Sequence, residues 1–290
     1  MSTKQLLLGL NVATSASAGA DPVGEAVRAE EAGFDFVSAA DHPATAEASF
    51  ETWTMLAWIA ARTERIHVAT RVLGVPYRNP ALVAKMAETF DRLSGGRLIL
   101  GLGGGYSDEE FRAYGMRVPT AREKVDGLEE AIRITRGLWA EREFSFAGRY
   151  HQTVEAPLEP KPERRIPLWL GTFGPRALEV TGRLADGWIP SLGFAGPERV
   201  KGMRERMLRA AEGAGRDPAE ITCAYNVVVR VDERAEPRDG QVRGAAGLVT
   251  ETLLGFVELG FSAFNFMVDG PEQVERLAGE VVPELRAAVG

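Results

Sequence analysis

The chain has 290 residues, of which 45% are hydrophobic and 26% are charged, a composition typical of a globular protein that can bury one large core. Its net charge of -7 argues against a general nucleic-acid binder, because such proteins are basic. The single cysteine, Cys223, excludes an internal disulfide, and no apolar stretch approaches the length of a membrane span, so we expect a cytoplasmic protein without membrane contact.

Short apolar runs alternate with helical patterns along the chain. The runs predict strands at residues 6–12, 34–39, 66–73, 97–102, 167–171, 187–190, 221–231 and 263–268. Helices are predicted at residues 22–32, 51–62, 80–93, 120–141, 175–184, 197–214, 246–259 and 271–289. Because each strand is followed by a helix, the pattern predicts an α/β fold, a (β/α)8 TIM barrel, as one domain over residues 1–290. An open, doubly wound sheet is the alternative.

Two connections are longer than a compact barrel needs. Residues 142–166 form an insertion before strand five and carry Phe144, Phe146 and Tyr150. We predict that this insertion is a small hairpin followed by an extended, apolar wall over the barrel mouth. Residues 232–245 are charged and contain glycine and proline, which predicts a mobile loop.

The stretch from residue 97 to 115 combines a strand, a glycine-rich turn and a helix start. Glycines at 101, 103, 104 and 105 would let a ligand approach the main chain closely. Ser107 and Glu110 then form the S-x-x-E pattern that often caps a helix. The stretch is not the dinucleotide fingerprint, because Tyr106 or Asp108 stands where that pattern needs glycine. By itself it predicts either a ligand cradle or a tight turn without a ligand.

In a TIM barrel the active site lies at the C-terminal ends of the strands. This rule selects Asn11, Asp41, His42, Arg71, Val72, residues 103–106, Gly171, Thr172 and Gly174 as candidates. His67 falls at the opposite end of strand three, and the histidines show no zinc-ligand spacing, so no metal site is predicted. Asp41 could instead cap a turn, and His42 could be an ordinary loop histidine.

A second glycine turn, Gly171-Thr172-Phe173-Gly174-Pro175-Arg176, follows strand five. Helix N-termini present free N–H groups and positive potential, so a phosphate fits there. Arg176 lies in the first turn of the predicted helix and adds a charged donor. We therefore predict a phosphate site here, and a plain tight turn is the alternative.

Five segments, spread in order over most of the chain, form a series that is more specific than any single glycine motif. They are Asp41-His42, T-R-V-L-G-V-P-Y-R-N-P-A at 70–81, D-R-L-S-G-G-R-L-I-L-G-L-G-G-G-Y at 91–106 with E-F at 110–111, L-G-T-F-G-P-R-A-L at 170–178 and A-D-G-W at 185–188. This series resembles the luciferase-like monooxygenase superfamily. The compact length and the G-L-G-G-G-Y form look most like the branch that uses the deazaflavin coenzyme F420.

The resemblance implies an oxidoreductase with coenzyme F420, or alternatively FMN, whose ring lies in the barrel mouth. It implies a cis peptide bond between Arg71 and Val72 that buttresses the ring, and a coenzyme phosphate held by the turn at 171–176. The residues expected at the coenzyme are Asp41, Arg71, Val72, Gly103, Gly104, Gly105, Gly171, Thr172, Gly174, Pro175 and Arg176. Asn11, His42 and Tyr106 are expected at the substrate. Members of the family are often dimers, so a homodimer is expected.

The implied reaction is hydride transfer between C5 of the deazaflavin and a small organic substrate. His42, oriented by Asp41, would move the accompanying proton, because imidazole titrates near neutrality. Tyr106 would position the substrate or assist the proton transfer. Sugar-phosphate-oxidising relatives have a glutamate at this position, so Tyr106 weakens the case for a sugar-phosphate substrate.

Arg71 is a second departure from the family pattern, since small residues are usual at its position. Its guanidinium could lie near the N1/O2 edge of the ring, where a positive charge would stabilise the anionic reduced form. It could equally turn outward to a carboxylate.

Three other functions compete with this interpretation. The first is an FMN-dependent monooxygenase that receives reduced flavin from a separate reductase. The second is a non-catalytic flavin-binding protein on the same scaffold, against which polar groups such as His42 and Tyr106 at the mouth speak. The third is a barrel enzyme for phosphorylated metabolites that binds no flavin.

Overall fold

The computed structural model of the chain describes residues 6–290. Its strands are β1 (Leu7–Asn11), β2 (Phe36–Ala39), β3 (His67–Thr70), β4 (Leu73–Gly74), β5 (Leu98–Gly103), β6 (Glu143–Ala147), β7 (Gln152–Pro157), β8 (Leu168–Leu170), β9 (Gly187–Trp188), β10 (Thr222–Val231), β11 (Gln241–Gly244) and β12 (Ala263–Met267). Its helices are α1 (Pro22–Glu31), α2 (Thr52–Arg62), α3 (Pro80–Leu93), α4 (Asp108–Ala113), α5 (Ala121–Ala140), α6 (Pro175–Leu184), α7 (Pro197–Gly213), α8 (Ala246–Glu258), α9 (Pro271–Arg276) and α10 (Val282–Val289). A π-helical turn, Leu277–Val281, joins the last two. No helix within residues 6–290 combines the length and apolar character needed to cross a lipid bilayer.

Eight parallel strands close into a barrel. Their order is β1-β2-β3-β5-β8-β9-β10-β12, and β12 pairs with β1 to complete the circle. Gly9 of β1, for example, lies between Asn265 on one side and Phe36 on the other. The predicted TIM barrel is therefore confirmed. The predicted third strand is interrupted after Thr70 and resumes as β4 at Leu73, which pairs with β5.

The strands bury side chains on both faces, as parallel strands covered by helices must. One apolar cluster fills the barrel interior and consists of Phe36, Ala69, Ile99, Trp169, Ile189, Ala224 and Ala263. A larger cluster lies between the outer face of the strands and the helices. Because the interior is packed with side chains, open space for a ligand is left where the strands end.

The insertion before β8 forms the predicted hairpin, β6 and β7, but it does not form a wall over the mouth. Phe144 and Phe146 pack instead against Ile134 and Leu138 of α5. Gly137 leaves room for this packing, since a Cβ atom there would lie 2.3 Å from the Phe144 ring. The aromatic rings of the hairpin thus find burial on the outside of the barrel.

The extended segment after the hairpin lies at the other end of the barrel from the mouth. Arg164 donates hydrogen bonds to Asp91 in the last turn of α3 and to the Leu98 carbonyl at the start of β5. These contacts lie at the N-terminal ends of the strands. The prediction that residues 142–166 shape the mouth was therefore wrong.

The stretch from 232 to 245 contains a strand that the sequence did not suggest. Gln241–Gly244, β11, pairs in parallel with the C-terminal half of β10, in which Arg230 stands opposite Arg243. Strand β10 extends beyond the barrel, and β11 covers its free edge. The predicted loop is therefore limited to the residues before β11.

Two glycines in neighbouring helices should respond oppositely to replacement by alanine. A Cβ atom at Gly182 of α6 would lie 2.1 Å from the Met207 carbonyl oxygen of α7, so Gly182→Ala must push the two helices apart. We expect a loss of about 2 kcal/mol or more in the free energy of unfolding. Gly202 of α7 is exposed and faces open space, so Gly202→Ala should gain about 0.5–1 kcal/mol. Urea unfolding of both variants measures the difference, and equal effects would contradict the helix packing described here.

Candidate active site

A cavity of about 260 Å³ lies at the C-terminal ends of the barrel strands. It is lined by Asp41, His42, Arg71, Val72, Gly74, Tyr77, Gly103, Gly104, Gly105, Tyr106, Gly171, Phe173, Ile189, Ser191 and Asn226. Of the residues predicted from sequence, the cavity brings together Asp41, His42, Arg71, Val72, Gly103, Gly104, Gly105, Tyr106 and Gly171. Asn11, Thr172, Gly174, Pro175 and Arg176 do not line it. Asn11 lines a neighbouring cavity of about 820 Å³ between α1 and α9.

His42 is held by a glutamate that sequence reasoning did not select. Its Nδ1 lies 2.8 Å from Oε1 of Glu110, and the Tyr77 hydroxyl donates to Oε2 of the same carboxylate at 3.1 Å. Since an ionised carboxylate only accepts, the His42 proton sits on Nδ1 and leaves Nε2 as the reactive nitrogen. Burial and the hydrogen bond to Glu110 both raise the pKa of Tyr77, so its hydroxyl remains a donor near neutral pH.

Glu110 owes its position to the start of α4. The Ser107 hydroxyl accepts a hydrogen bond from the Glu110 N–H, which caps the helix as the S-x-x-E pattern predicted. The second half of that pattern fails, because the Glu110 side chain is buried and turns to His42 and Tyr77 instead of returning to the cap. The S-x-x-E pattern thus marked Glu110 in the sequence, but it predicted a helix-capping role and not a contact with His42.

Asp41 does not orient His42, in contrast to the prediction. Its buried carboxylate accepts two hydrogen bonds from Arg78, at 2.7 and 3.0 Å, and one from the Gly74 N–H at 2.9 Å. The Arg78 guanidinium also reaches Glu51, at 2.5 Å. Although burial acts to lower the pKa of Arg78, these two carboxylates raise it above its usual value. Arg78 therefore binds Asp41, the carboxylate that the sequence predicted as the partner of His42.

One wall of the cavity is made of main chain and a single valine. The peptide bond between Arg71 and Val72 is cis, as the resemblance implied. The Val72 side chain lies against Gly101, Gly103 and Gly171, where Cβ atoms would approach it to 2.7–3.1 Å. Because these positions lack side chains, the wall is flat, and a planar ring fits against it.

A layer of polar side chains forms the floor of the cavity inside the barrel. Ser38 donates to Asn265, Asn265 donates to Asn226, and Asn226 donates to Ser191, over distances of 2.8–3.1 Å. Ser38, Asn265 and Asn226 point inward from β2, β12 and β10, and Ser191 lies in the segment that follows β9. Asn226 and Ser191 expose part of this layer to the cavity and were not predicted.

Arg71 belongs to the same layer and turns inward. Its Nε donates to Oδ1 of Asn11 at 2.9 Å, so the alternative of an outward contact with a carboxylate is wrong. Burial lowers the pKa of Arg71 to about 10. This hydrogen bond is the contact through which Asn11 reaches the cavity wall.

The turn after β8 presents its main chain rather than its side chains to a ligand. The Thr172 hydroxyl is buried and bonded to that of Thr181. Arg176 is bound to Asp126 on α5, at 2.5 Å, with over half of its side chain exposed. Gly174, which precedes Pro175 and α6, provides no side-chain cap for the helix. The first free N–H groups of α6 therefore remain available for an anion, whereas Arg176 is already neutralised.

Three aromatic rings form the rim of the cavity. Tyr106 stands edge-on to His42, with ring centres 6.2 Å apart, and it also contacts Phe194. Phe194 in turn contacts Phe173, which lines the cavity. Tyr106 and Phe194 are largely exposed, and Phe194 lies in the connection after β9, where no motif marked it.

Comparison with known proteins yields one family and a consistent set of relatives. The sequence pattern of luciferase-like monooxygenases matches residues 8–264. An F420-dependent glucose-6-phosphate dehydrogenase from Amycolatopsis mediterranei is 34% identical over 271 residues, which cover 90% of this chain and 77% of the relative.

Solved structures with a similar fold include two kinds of enzyme. An F420-dependent secondary alcohol dehydrogenase, in complex with an F420–acetone adduct, superposes with a TM-score of 0.86 at 21% identity, over 97% of this chain and 99% of the other. A monooxygenase from Streptomyces bottropensis superposes with a TM-score of 0.80, also at 21% identity, over 96% of this chain and 99% of the other. At these identities the likeness shows a shared fold.

The ion pair beside the cavity should make stability depend on pH through Glu51. Although burial acts to raise the pKa of Glu51, hydrogen bonds from Thr54 and Arg78 hold it below its usual value. The stabilising effect of this charge is therefore complete above about pH 4.5 and is lost as the pH falls through the lower pKa of the folded state. We expect Glu51→Gln to cost about 1 kcal/mol at neutral pH, since the group is partly exposed.

Urea unfolding at neutral pH and at about pH 3 measures this effect. The wild type and Glu51→Gln should differ at neutral pH and converge in acid. Glu205→Gln, at an exposed position of α7, is the control and should match the wild type at both values. A difference that persists in acid would mean that the charge of Glu51 is not its source.

Proposed function

Because the chain belongs to the luciferase-like monooxygenase family, we propose that it is a coenzyme F420-dependent oxidoreductase that acts on a small organic substrate. The observation that carries the proposal is the His42–Glu110–Tyr77 cluster, which lies beside a flat glycine wall in the barrel mouth. The F420-dependent dehydrogenase at 34% identity supports the choice of coenzyme.

The residues of the cavity fit a planar coenzyme. Val72 and the main chain at Gly103, Gly104, Gly105 and Gly171 would hold the ring. The uncapped N-terminus of α6, after Gly174, would hold the phosphate. When bound, the coenzyme supplies a hydride acceptor or donor at C5 of its ring.

The chain itself supplies the proton transfer. If an alcohol is oxidised, His42 Nε2 accepts the hydroxyl proton while the hydride leaves the carbon, and a carbonyl forms; the reverse reaction returns the same proton. Glu110 fixes the imidazole through Nδ1 and stabilises its protonated form, and Tyr77 holds the far oxygen of Glu110. Asp41 does not contact His42 and acts indirectly, because it fixes the segment that carries Gly74 and Arg78.

We propose a substrate class different from that of the named relative. Tyr106 stands where sugar-phosphate-oxidising relatives would have a glutamate, and it forms an aromatic rim with Phe194 and Phe173. Arg71 and His42 are the lining residues, within the described chain, that can carry positive charge. These features support a small organic molecule with an apolar part in preference to a sugar phosphate.

An FMN-dependent monooxygenase supplied with reduced flavin by a separate reductase is the second candidate. The fold shared with the monooxygenase from Streptomyces bottropensis favours it. A flavin-binding protein without catalysis would have no use for the buried carboxylate that holds His42, because burial of such a group is costly.

We further propose that residues 1–290 act as one domain, in the cytoplasm, and as a homodimer. Large apolar side chains on neighbouring helices support the dimer. Trp58 of α2 is 64% exposed, and Leu82 and Leu93 of α3 are 56% and 83% exposed. The two helices pack against each other through Trp53 and Phe90.

A side-by-side titration with F420 and FMN tests the coenzyme. Binding is followed by quenching of tryptophan fluorescence, for which the chain offers Trp53, Trp58, Trp139, Trp169 and Trp188. We expect tight binding of F420 and weak binding of FMN. Gly103→Ala should weaken F420 binding at least about tenfold, because the new Cβ atom would press Val72 into the space of the ring. Gly202→Ala, far from the cavity, is the matched control.

Each outcome of this titration has a definite meaning. Tight FMN binding with rapid consumption of oxygen by the reduced complex would favour the monooxygenase. Binding of neither molecule would refute the assignment of the coenzyme and leave the barrel without one.

His42 and Glu110 should act as one unit in turnover. With the best substrate found among alcohols and carbonyl compounds, His42→Ala should lower kcat by about 10²–10⁴-fold. Glu110→Gln should lower it by a smaller factor, of about ten or more, because the carboxylate acts through the imidazole. The double variant should be no slower than His42→Ala alone.

The control for this cycle is Glu109→Gln, at the exposed neighbour of Glu110, which should leave kcat unchanged. Multiplicative losses in the double variant would show that Glu110 acts independently of His42.

A further inference from the structure

Arg71 is a charged group in the cavity wall without an opposite charge beside it. Its hydrogen bond is to the neutral Asn11, and no ion pair joins it to any carboxylate among residues 6–290. Arg78, only seven positions later, is forked between Asp41 and Glu51. The charge of Arg71 is therefore uncompensated where that of Arg78 is neutralised.

Arg97, which is buried, shows how the fold satisfies a guanidinium away from water. Arg97 donates five hydrogen bonds, to the carbonyls of Ala60, Thr63, Ile66 and Ser94 and to the Thr63 hydroxyl. Arg71 uses its Nε alone, and its two terminal amino groups make no hydrogen bond to residues 6–290. Since Arg71 lines the cavity, the open space beside these donors is that of the ligand.

The polar floor of the cavity offers one further free donor. The Asn226 side-chain oxygen accepts from Asn265 and that of Asn11 accepts from Arg71, while the Asn226 amide nitrogen donates to Ser191 and to the Ile189 carbonyl. Ser191 accepts from Asn226, which leaves its own proton free to donate. The cavity therefore contains a cationic group with free donors, Arg71, and the free hydroxyl proton of Ser191, in addition to His42.

We propose that Arg71 receives an anionic oxygen of the molecule bound in the cavity, and that this contact compensates the charge of its guanidinium. The inference rests on the proposed function and deepens it. The anionic oxygen has two sources, namely the C2 oxygen edge of the reduced coenzyme ring or an anionic group of the substrate, such as a carboxylate.

A purely structural role for Arg71 makes the opposite prediction about stability. A partly buried charge without a partner costs some free energy, so a neutral side chain of similar length should be tolerated or favoured in the ligand-free protein. We expect Arg71→Met to keep or raise the Tm. If Arg71 serves only to hold Asn11, the same change should lower the Tm.

The first measurement addresses the coenzyme. Dissociation constants of oxidised and reduced F420 are determined for the wild type, Arg71→Met and Arg71→Lys. If the ring supplies the anionic oxygen, Arg71→Met should bind reduced F420 at least about tenfold more weakly while oxidised F420 changes little. That difference lowers the midpoint potential of the bound coenzyme by about 30 mV for a two-electron couple. Arg71→Lys should retain most of the effect.

The second measurement addresses the substrate and needs no coenzyme. Acetate is added at millimolar concentrations to the ligand-free protein, and the Tm is recorded. If the cavity receives a carboxylate, acetate should raise the Tm of the wild type and of Arg71→Lys but not that of Arg71→Met. Arg206→Met, which removes an exposed arginine of α7, is the control and should behave as the wild type in both measurements.

A difference between Arg71→Met and the wild type in either measurement, namely weaker binding of reduced F420 or loss of the rise in Tm with acetate, supports the proposal and identifies the source. No difference in either measurement would overturn it, and a lowered Tm of Arg71→Met would then show that Arg71 has a structural role. If the wild type binds neither F420 nor FMN, the proposed function fails, but the acetate measurement still decides the inference about Arg71.

Discussion

The ion pair between Asp41 and Arg78 is the constraint on which the cavity depends. Asp41 is buried and also accepts a hydrogen bond from the Gly74 N–H, so it joins the loop after β2 to the segment after β3. His42 directly follows Asp41, and Tyr77 directly precedes Arg78. A single ion pair therefore fixes both partners of Glu110. Such a pair gains little net stability after the cost of desolvation, and its importance here is that it sets the relative positions of two loops.

The two carboxylates of the site have different environments and hence different tasks. Asp41 is neutralised by the Arg78 fork and remains a fixed acceptor. Glu110 is reached by no arginine among residues 6–290, and its partners are the Tyr77 hydroxyl and the His42 imidazole. The distinction follows from which carboxylate an arginine reaches, and it explains why the residue next to His42 in sequence is not its partner in space.

Local signals in the sequence predicted the fold well, and distant contacts account for the errors. The bounds of α3 and α6 agree with the sequence prediction, because an Asn79 cap or a glycine–proline start acts within one turn. The role of Glu110 was missed because its partner His42 lies 68 positions away. The position of the hairpin was missed for the same reason, since Phe144 depends on the space beside Gly137. A cavity residue such as Asn226 becomes visible only once the barrel sets which side chains of β10 point inward.

The N-termini of the helices divide the barrel mouth into two sides that differ in electrostatic potential. Helices α1 to α5 have a cap side chain that accepts from their first N–H groups, whereas α6, α7, α8 and α9 begin after Gly174, Gly196, Ala245 and Gly270 without such a bond. Helices α6 to α9 each follow a parallel strand, so their N-termini face the mouth. In a molecule of net charge -7, the positive ends of four successive helices are thus concentrated on one side. A negatively charged group that approaches the mouth would therefore be attracted to the side formed by these four helices.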